Sequence, residues 1–185
     1  MILAYFSAPY LESYLQPMVN NFRDRVQSGD LKLTMYSIFF NNFSVAIMIY
    51  FGAIFLGLIT AILLMINGAF IGYFATSLPL DVFFLLTLPH GIFEIPGILI
   101  AGAGGFTLFT FILYFLKDIF LFERNKWSEK PKLRERVAIS FNNNSKKISQ
   151  SLILLGLAIV LLIIGAFIEV YVTINLANYL IKIIT

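Results

Sequence analysis

The chain alternates long apolar runs with short polar punctuation, and the runs are longer than a buried soluble helix needs. Residues 38–64 form the first run, 69–88 the second, 91–116 the third and 151–181 the fourth. A membrane-crossing helix takes about 20 predominantly apolar residues. The pattern therefore predicts an all-α fold, a polytopic transmembrane helical bundle of about four spans. Asn67-Gly68 separates the first two runs and reads as a tight turn. Pro79 and Asp81 interrupt the second, with Asp81 expected to cap a short helix, and Pro89-His90-Gly91 opens the third. A broken or re-entrant segment is expected near 67–90. Irregular backbone at membrane depth must be covered by protein or line water, which places that segment inside the bundle. Pro96 lies within the third run and predicts a kink.

The residues before the first span follow a different pattern. Residues 1–11 are apolar but too short to cross a bilayer. Residues 12–36 carry Glu12, Arg23, Asp24, Arg25, Asp30 and Lys32, whose charges sum to zero, and Ser28-Gly29-Asp30 has the composition of a turn. Residues 1–36 are read as an interfacial amphipathic segment, and 37–185 as the transmembrane domain.

Charge sharpens this picture. Only 12% of the residues are charged, against roughly 25% in soluble domains. No Lys or Arg occurs between Lys32 and Lys117, a gap of 84 residues. Nine of the thirteen basic residues fall between Lys117 and Lys147, beside four acids. The positive-inside rule makes 117–150 a cytoplasmic loop of a multi-pass cell-membrane protein, with Trp127 near the interface and, for four spans, both termini outside. The same loop could bind anionic headgroups or dock a membrane or envelope protein. The bilayer itself is the primary partner, a homo-oligomer is expected through small-residue helix faces, and no nucleic acid is expected. The absence of cysteine excludes disulfides and thiolate metal sites. Walker, HExxH and GxSxG motifs are also absent. Gly102-Ala103-Gly104-Gly105 sits in an apolar run without a βαβ context and reads as helix packing. The pattern names no cofactor.

The candidate chemistry lies in the few ionisable residues inside the runs. His90 and Glu94 are four apart and share a helix face. That face continues through Gly97, Ala101, Gly104 and Gly105, small residues that let a neighbouring helix approach. Glu169 repeats the arrangement, with Gly165 one turn earlier. A charge at the bilayer centre costs about 2.5–3.5 kcal/mol on insertion scales, so these residues are expected to meet inside the bundle. Asn67 and Asn42, beside Asn41, complete the polar set, and Gly68 and Gly72 add a GxxxG spacing. Three readings stay open: a proton or cation site in which the carboxylates exchange protons with His90, a divalent metal site of one imidazole and two carboxylates suited to zinc or iron, and a structural polar lock between helices.

Five elements in order carry a family resemblance: Asn41-Asn42, Asn67-Gly68-Ala69-Phe70-Ile71-Gly72, Pro89-His90-Gly91-Ile92-Phe93-Glu94, Ala101-Gly102-Ala103-Gly104-Gly105 and Ala166-Phe167-Ile168-Glu169. From about Asn41 to Thr173 the chain resembles the stage II sporulation protein M family of small integral membrane proteins, also present in organisms that do not sporulate. The proline-histidine-glycine-x-x-glutamate element is its most specific part. In spore formers the named member is a membrane scaffold that anchors cell-wall hydrolases during engulfment. The resemblance thus implies a scaffold or assembly role, whereas the buried His-Glu-Glu set suggests a channel or transporter for a proton, cation or small solute. The chain departs from longer members in lacking a full span before residue 12.

Overall fold

A computed structural model describes residues 2–28, 34–120, 131–176 and 179. The described residues form helices and turns. Two short helices come first, α1 (Ile2–Phe6) and α2 (Ala8–Gln27). Four long ones follow: α3 (Met35–Gly52), α4 (Leu58–Phe74), α5 (Leu80–Phe120) and α6 (Leu133–Ile168). A 3₁₀ turn (Ala75–Ser77) ends α4, and a π-helical turn (Glu169–Thr173) continues α6. Four helical stretches are long and apolar enough to cross a membrane: Met35–Gly52, Leu58–Ser77, Leu80–Phe120 and Leu133–Leu176.

The number of spans is the one the hydrophobic pattern predicts, but the runs and the helices do not coincide. The run 38–64 divides between α3 and α4, the run 69–88 between the end of α4 and the start of α5, and the third span opens at Leu80, not at Pro89-His90-Gly91. Asn67-Gly68 is not a turn; both residues lie inside α4. The first chain reversal comes earlier, at Ala53–Gly57, within the run read as one span. Leu56 (φ 57°) and Gly57 (φ 72°) take left-handed backbone there, which ends α3 and starts α4. The freed carbonyl of Ile49, in the last turn of α3, accepts a hydrogen bond from Thr60 Oγ1 at 2.5 Å. A buried helix end needs such a partner where water cannot supply one. The break expected near 67–90 falls at the 3₁₀ turn and Pro79, but it is not re-entrant and not inside the bundle: Thr76, Ser77, Pro79 and Leu80 are exposed, in a connection between two full spans. Asp81 lies in the first turn of α5, where a negative side chain suits the helix N-terminus. From there α5 runs unbroken through Pro89 and Pro96.

The central element is the antiparallel pair of α5 and α6. Small residues set the approach of the helices. A Cβ on Gly97 would meet Leu162 Cδ2 at 3.1 Å and the Ala158 carbonyl at 3.3 Å. A Cβ on Gly104 would meet the Ser151 carbonyl at 3.2 Å. α3 wedges against both, and Ala46, Ile49, Ile98, Ala101, Ala158 and Leu162 form the core. Tyr50 Oη and Ser151 Oγ share a 2.7 Å hydrogen bond, and Ser151 Oγ donates to the Gly104 carbonyl at 2.8 Å. This buried chain of bonds joins α3, α6 and α5. α4 returns along α3 and α5, and α1–α2 pack on it: Leu15 and Val19 lie against Tyr73, whose hydroxyl donates to Gln16 Oε1.

The α5–α6 pair outlasts the rest of the bundle. At 41 residues, α5 is about 60 Å long, twice the roughly 30 Å hydrocarbon core of a bilayer. The α3–α4 reversal lies against Phe106 and Phe109 of α5. Beyond that level the two helices continue as a hairpin. Phe111 meets Phe141 edge-on, Ser140 Oγ donates to the Phe115 carbonyl at 2.9 Å, Asn144 Nδ2 donates to Asp118 Oδ2 at 2.9 Å, and Lys147 lies over the Tyr114 ring. Residues 133–150, read as part of a loop, are therefore helical. Gly29, Asp30, Trp127 with the rest of 121–130, and the end of the fourth run beyond Leu176 lie outside the described residues, apart from Tyr179.

Candidate functional site

The site forms where α5 and the end of α6 face each other. His90 and Glu94 occupy successive turns of α5, and Glu169 opens the π-helical turn after α6. One ligand atom from each of the three side chains lies within 4.8 Å of the others. All three residues are half-buried.

Local structure explains the convergence. Gly165, one turn before Glu169, is buried against Glu94, and a Cβ there would overlap Glu94 Cγ and lie 3.2 Å from both Cδ and Oε1. The missing side chain is the space in which the Glu94 carboxyl lies. The π-helical turn widens the backbone over Glu169–Thr173, and such turns recur at functional positions in helices. It brings Thr173, itself buried, to His90: Nδ1 and Thr173 Oγ1 are 3.2 Å apart. On the third side, Asn42 of α3 lies beside the Glu94 side chain. Glu94 Oε1 is buried without a hydrogen-bond partner.

The polar residues singled out in the sequence therefore divide. His90, Glu94 and Glu169 meet, and Asn42 joins them. Asn67 does not: it lines a separate small cleft with Leu64, Gly68, Ile71, Ile95, Ile98 and Leu99. Of the packing positions, Gly97, Ala101, Gly105 and Gly165 all lie buried at helix contacts. Gly72 is buried in α4, and Gly68 lines the Asn67 cleft. Thr173 was missed. Its spacing signalled it, since Gly165, Glu169 and Thr173 recur every four residues. The Tyr50–Ser151 bond had no signal in sequence, because the partners are 101 residues apart.

Chemically, the cluster offers one imidazole and two carboxylates in an apolar bundle. The stretch carrying α3, α4 and most of α5 contains no Lys or Arg. Within this stretch the counter-charge available to the carboxylates is a proton or a bound cation.

Four helices long and apolar enough to cross a membrane, two of which bring a half-buried ionisable cluster together, define a polytopic α-helical membrane protein. The chain belongs to the stage II sporulation protein M family, whose model matches residues 1–174. That match begins at residue 1, so α1 and α2 are part of the family domain as well. Two uncharacterized proteins of Methanocaldococcus jannaschii are similar to it. One is 34% identical over 156 residues, covering 82% of this chain and 77% of that protein. The other is 28% identical over 175 residues, covering 90% of this chain and 71% of that protein. No solved structure matches the chain.

Proposed function

We propose that the protein is a membrane scaffold whose α5–α6 hairpin holds a partner protein at the membrane surface. The observation that carries this reading is the continuation of both helices, paired by side-chain contacts, past the α3–α4 reversal. Residues 110–120 of α5 add about 16 Å there. The facing part of α6 carries Lys132 just before it, then Arg134, Arg136, Lys146 and Lys147, against Glu135 alone. Such a surface is unsuited to the hydrocarbon core. By the positive-inside rule it faces the cytoplasm of a cell-membrane protein. Leu133 and Phe120 stand exposed beside these charges, so the hairpin presents apolar and basic groups together, a surface fit for an acidic protein partner. Photocrosslinkers at Leu133 and Phe120, in native membranes, should trap a specific protein adduct that Lys146→Glu with Lys147→Glu abolishes. A crosslinker at lipid-facing Ile153 should not. Adducts to lipid alone at all three positions would rule the scaffold reading out.

The convergence of His90, Glu94 and Glu169 favours a second reading, passage of a proton or small cation through the bundle. Proteoliposomes would then show flux that Glu94→Gln abolishes while the protein stays folded. Absence of flux across a broad panel of ions would count decisively against it.

A further inference from the structure

We propose that His90, Glu94 and Glu169 bind one divalent first-row transition metal, zinc, iron or manganese, as a resident ion that pins α5 to α6. The proposal is independent of the hairpin's partner, and a resident ion requires no flux.

Three structural observations support it beyond the residue types. First, the ligand atoms come from two helices and already lie within 4.8 Å of one another. Metal bonds of about 2.0–2.2 Å to imidazole nitrogen and carboxylate oxygen place tetrahedral ligands roughly 3.4 Å apart, so each atom needs to move by about 1 Å or less. Second, Glu94 Oε1 is buried and unpartnered. A buried acceptor without a donor is costly, and a metal is an electron-pair acceptor that would satisfy it. Third, the groups behind the ligands are arranged as metal sites arrange them. Thr173 Oγ1 sits 3.2 Å from His90 Nδ1; in the tautomer whose Nδ1 donates to it, the Nε2 lone pair is left for coordination. Asn42 of α3 stands beside the Glu94 carboxyl. Gly165 makes room for that carboxyl in the helix seam.

Electrostatics decides the charge of the ion. Two carboxylates and a neutral imidazole carry −2, and a divalent cation brings the cluster to zero. A neutral cluster removes most of the cost of charge inside a membrane bundle. A monovalent cation would leave a net charge buried. The mixed nitrogen–oxygen set suits zinc, iron or manganese better than calcium or magnesium, which prefer oxygen alone. Three protein ligands leave a fourth position for water.

The test uses the full chain purified in mild detergent, stripped with chelator and reloaded with zinc, iron(II) or manganese(II) alone. We expect one metal per chain. X-ray absorption of the loaded wild type should show one imidazole nitrogen among oxygen donors at about 2.0–2.2 Å. His90→Ala and Glu94→Gln should each reduce bound metal to below about one-tenth of wild type. Thr173→Val, which keeps all three ligands, should weaken affinity by about 10–100-fold. Folded wild-type protein that takes up none of the three metals above a detergent blank would overturn the proposal. So would undiminished binding in both ligand variants, or an absorption spectrum without imidazole. The wild-type spectrum needs no substitution, so a variant that fails to fold cannot shield the proposal.

Discussion

Gly105→Val should prevent α3 from seating against α5 and unfold the bundle under conditions the parent protein survives. A Cβ at this position would stand 2.6 Å from the Tyr50 carbonyl oxygen, 3.1 Å from Tyr50 Cα and 3.2 Å from Ala53 Cβ. The first two are backbone atoms of another helix. No rotamer change relieves them, so the helices must separate. Overpacking of a close-packed interior costs about 1–3 kcal/mol for modest insertions. Alanine belongs in that range, and valine, with two further methyl groups, lies at or beyond its top. Separation would also draw Tyr50 away from Ser151 and Asn42 away from Glu94. Gly156, exposed on α6 with nothing within 4 Å of its Cβ position, supplies the comparison. Alanine there should be neutral or stabilise by up to about 1 kcal/mol through helix propensity. Unfolding in bicelles by graded detergent denaturation measures both. Equal stability of Gly105→Val and Gly156→Ala would mean that α3 and α5 do not approach as closely as described.

That contrast also shows what could be read from the sequence. Gly105 and Gly156 look alike in an apolar run. What distinguished Gly105 was its company: Gly97, Ala101 and Gly104 share its face with His90 and Glu94. The same periodicity placed Glu169 behind Gly165. The cluster was legible because an ionisable residue in a bilayer must find company, and small residues mark where company can come. Helix ends were not. Asn67-Gly68 looked like a turn because polar and flexible residues punctuate water-soluble chains. Inside α4 the backbone is satisfied by its own helix, and an asparagine can line a cleft between helices. The true reversal, Phe55-Leu56-Gly57, contains no polar residue, since a turn packed against Phe106 needs none; only the left-handed backbone at Leu56 and Gly57 betrays it. The helical state of 133–150 was hidden for a related reason. Basic residues report which side of a membrane a segment occupies, and say little about its backbone.

The second large effect concerns Gly165, and it separates the contact from the chemistry. Gly165→Ala places a methyl group over Glu94 Cγ and Cδ. Cγ is one bond from the Glu94 Cβ, so the side chain can escape only by leaving the seam or by moving α5 away from α6. Either response scatters the cluster. The substitution should destabilise the protein by about 1–3 kcal/mol and lower its metal content as much as loss of a ligand does. Glu94→Ala removes the atoms that collide. In the Gly165→Ala/Glu94→Ala double variant the added methyl should cost nothing further, and it should part-fill the space the carboxyl vacated. The two stability changes are thus strongly non-additive, with a coupling energy in the upper part of the roughly 0.5–3 kcal/mol found for residues in contact. Metal content must stay low in the double variant, because Glu94 is gone. Recovery of stability without recovery of metal is the combined signature of a glycine that exists to admit a carboxylate. Additive stability losses would show that Gly165 and Glu94 do not share this space, and would remove the structural reason for the close meeting of α5 and α6 at the cluster.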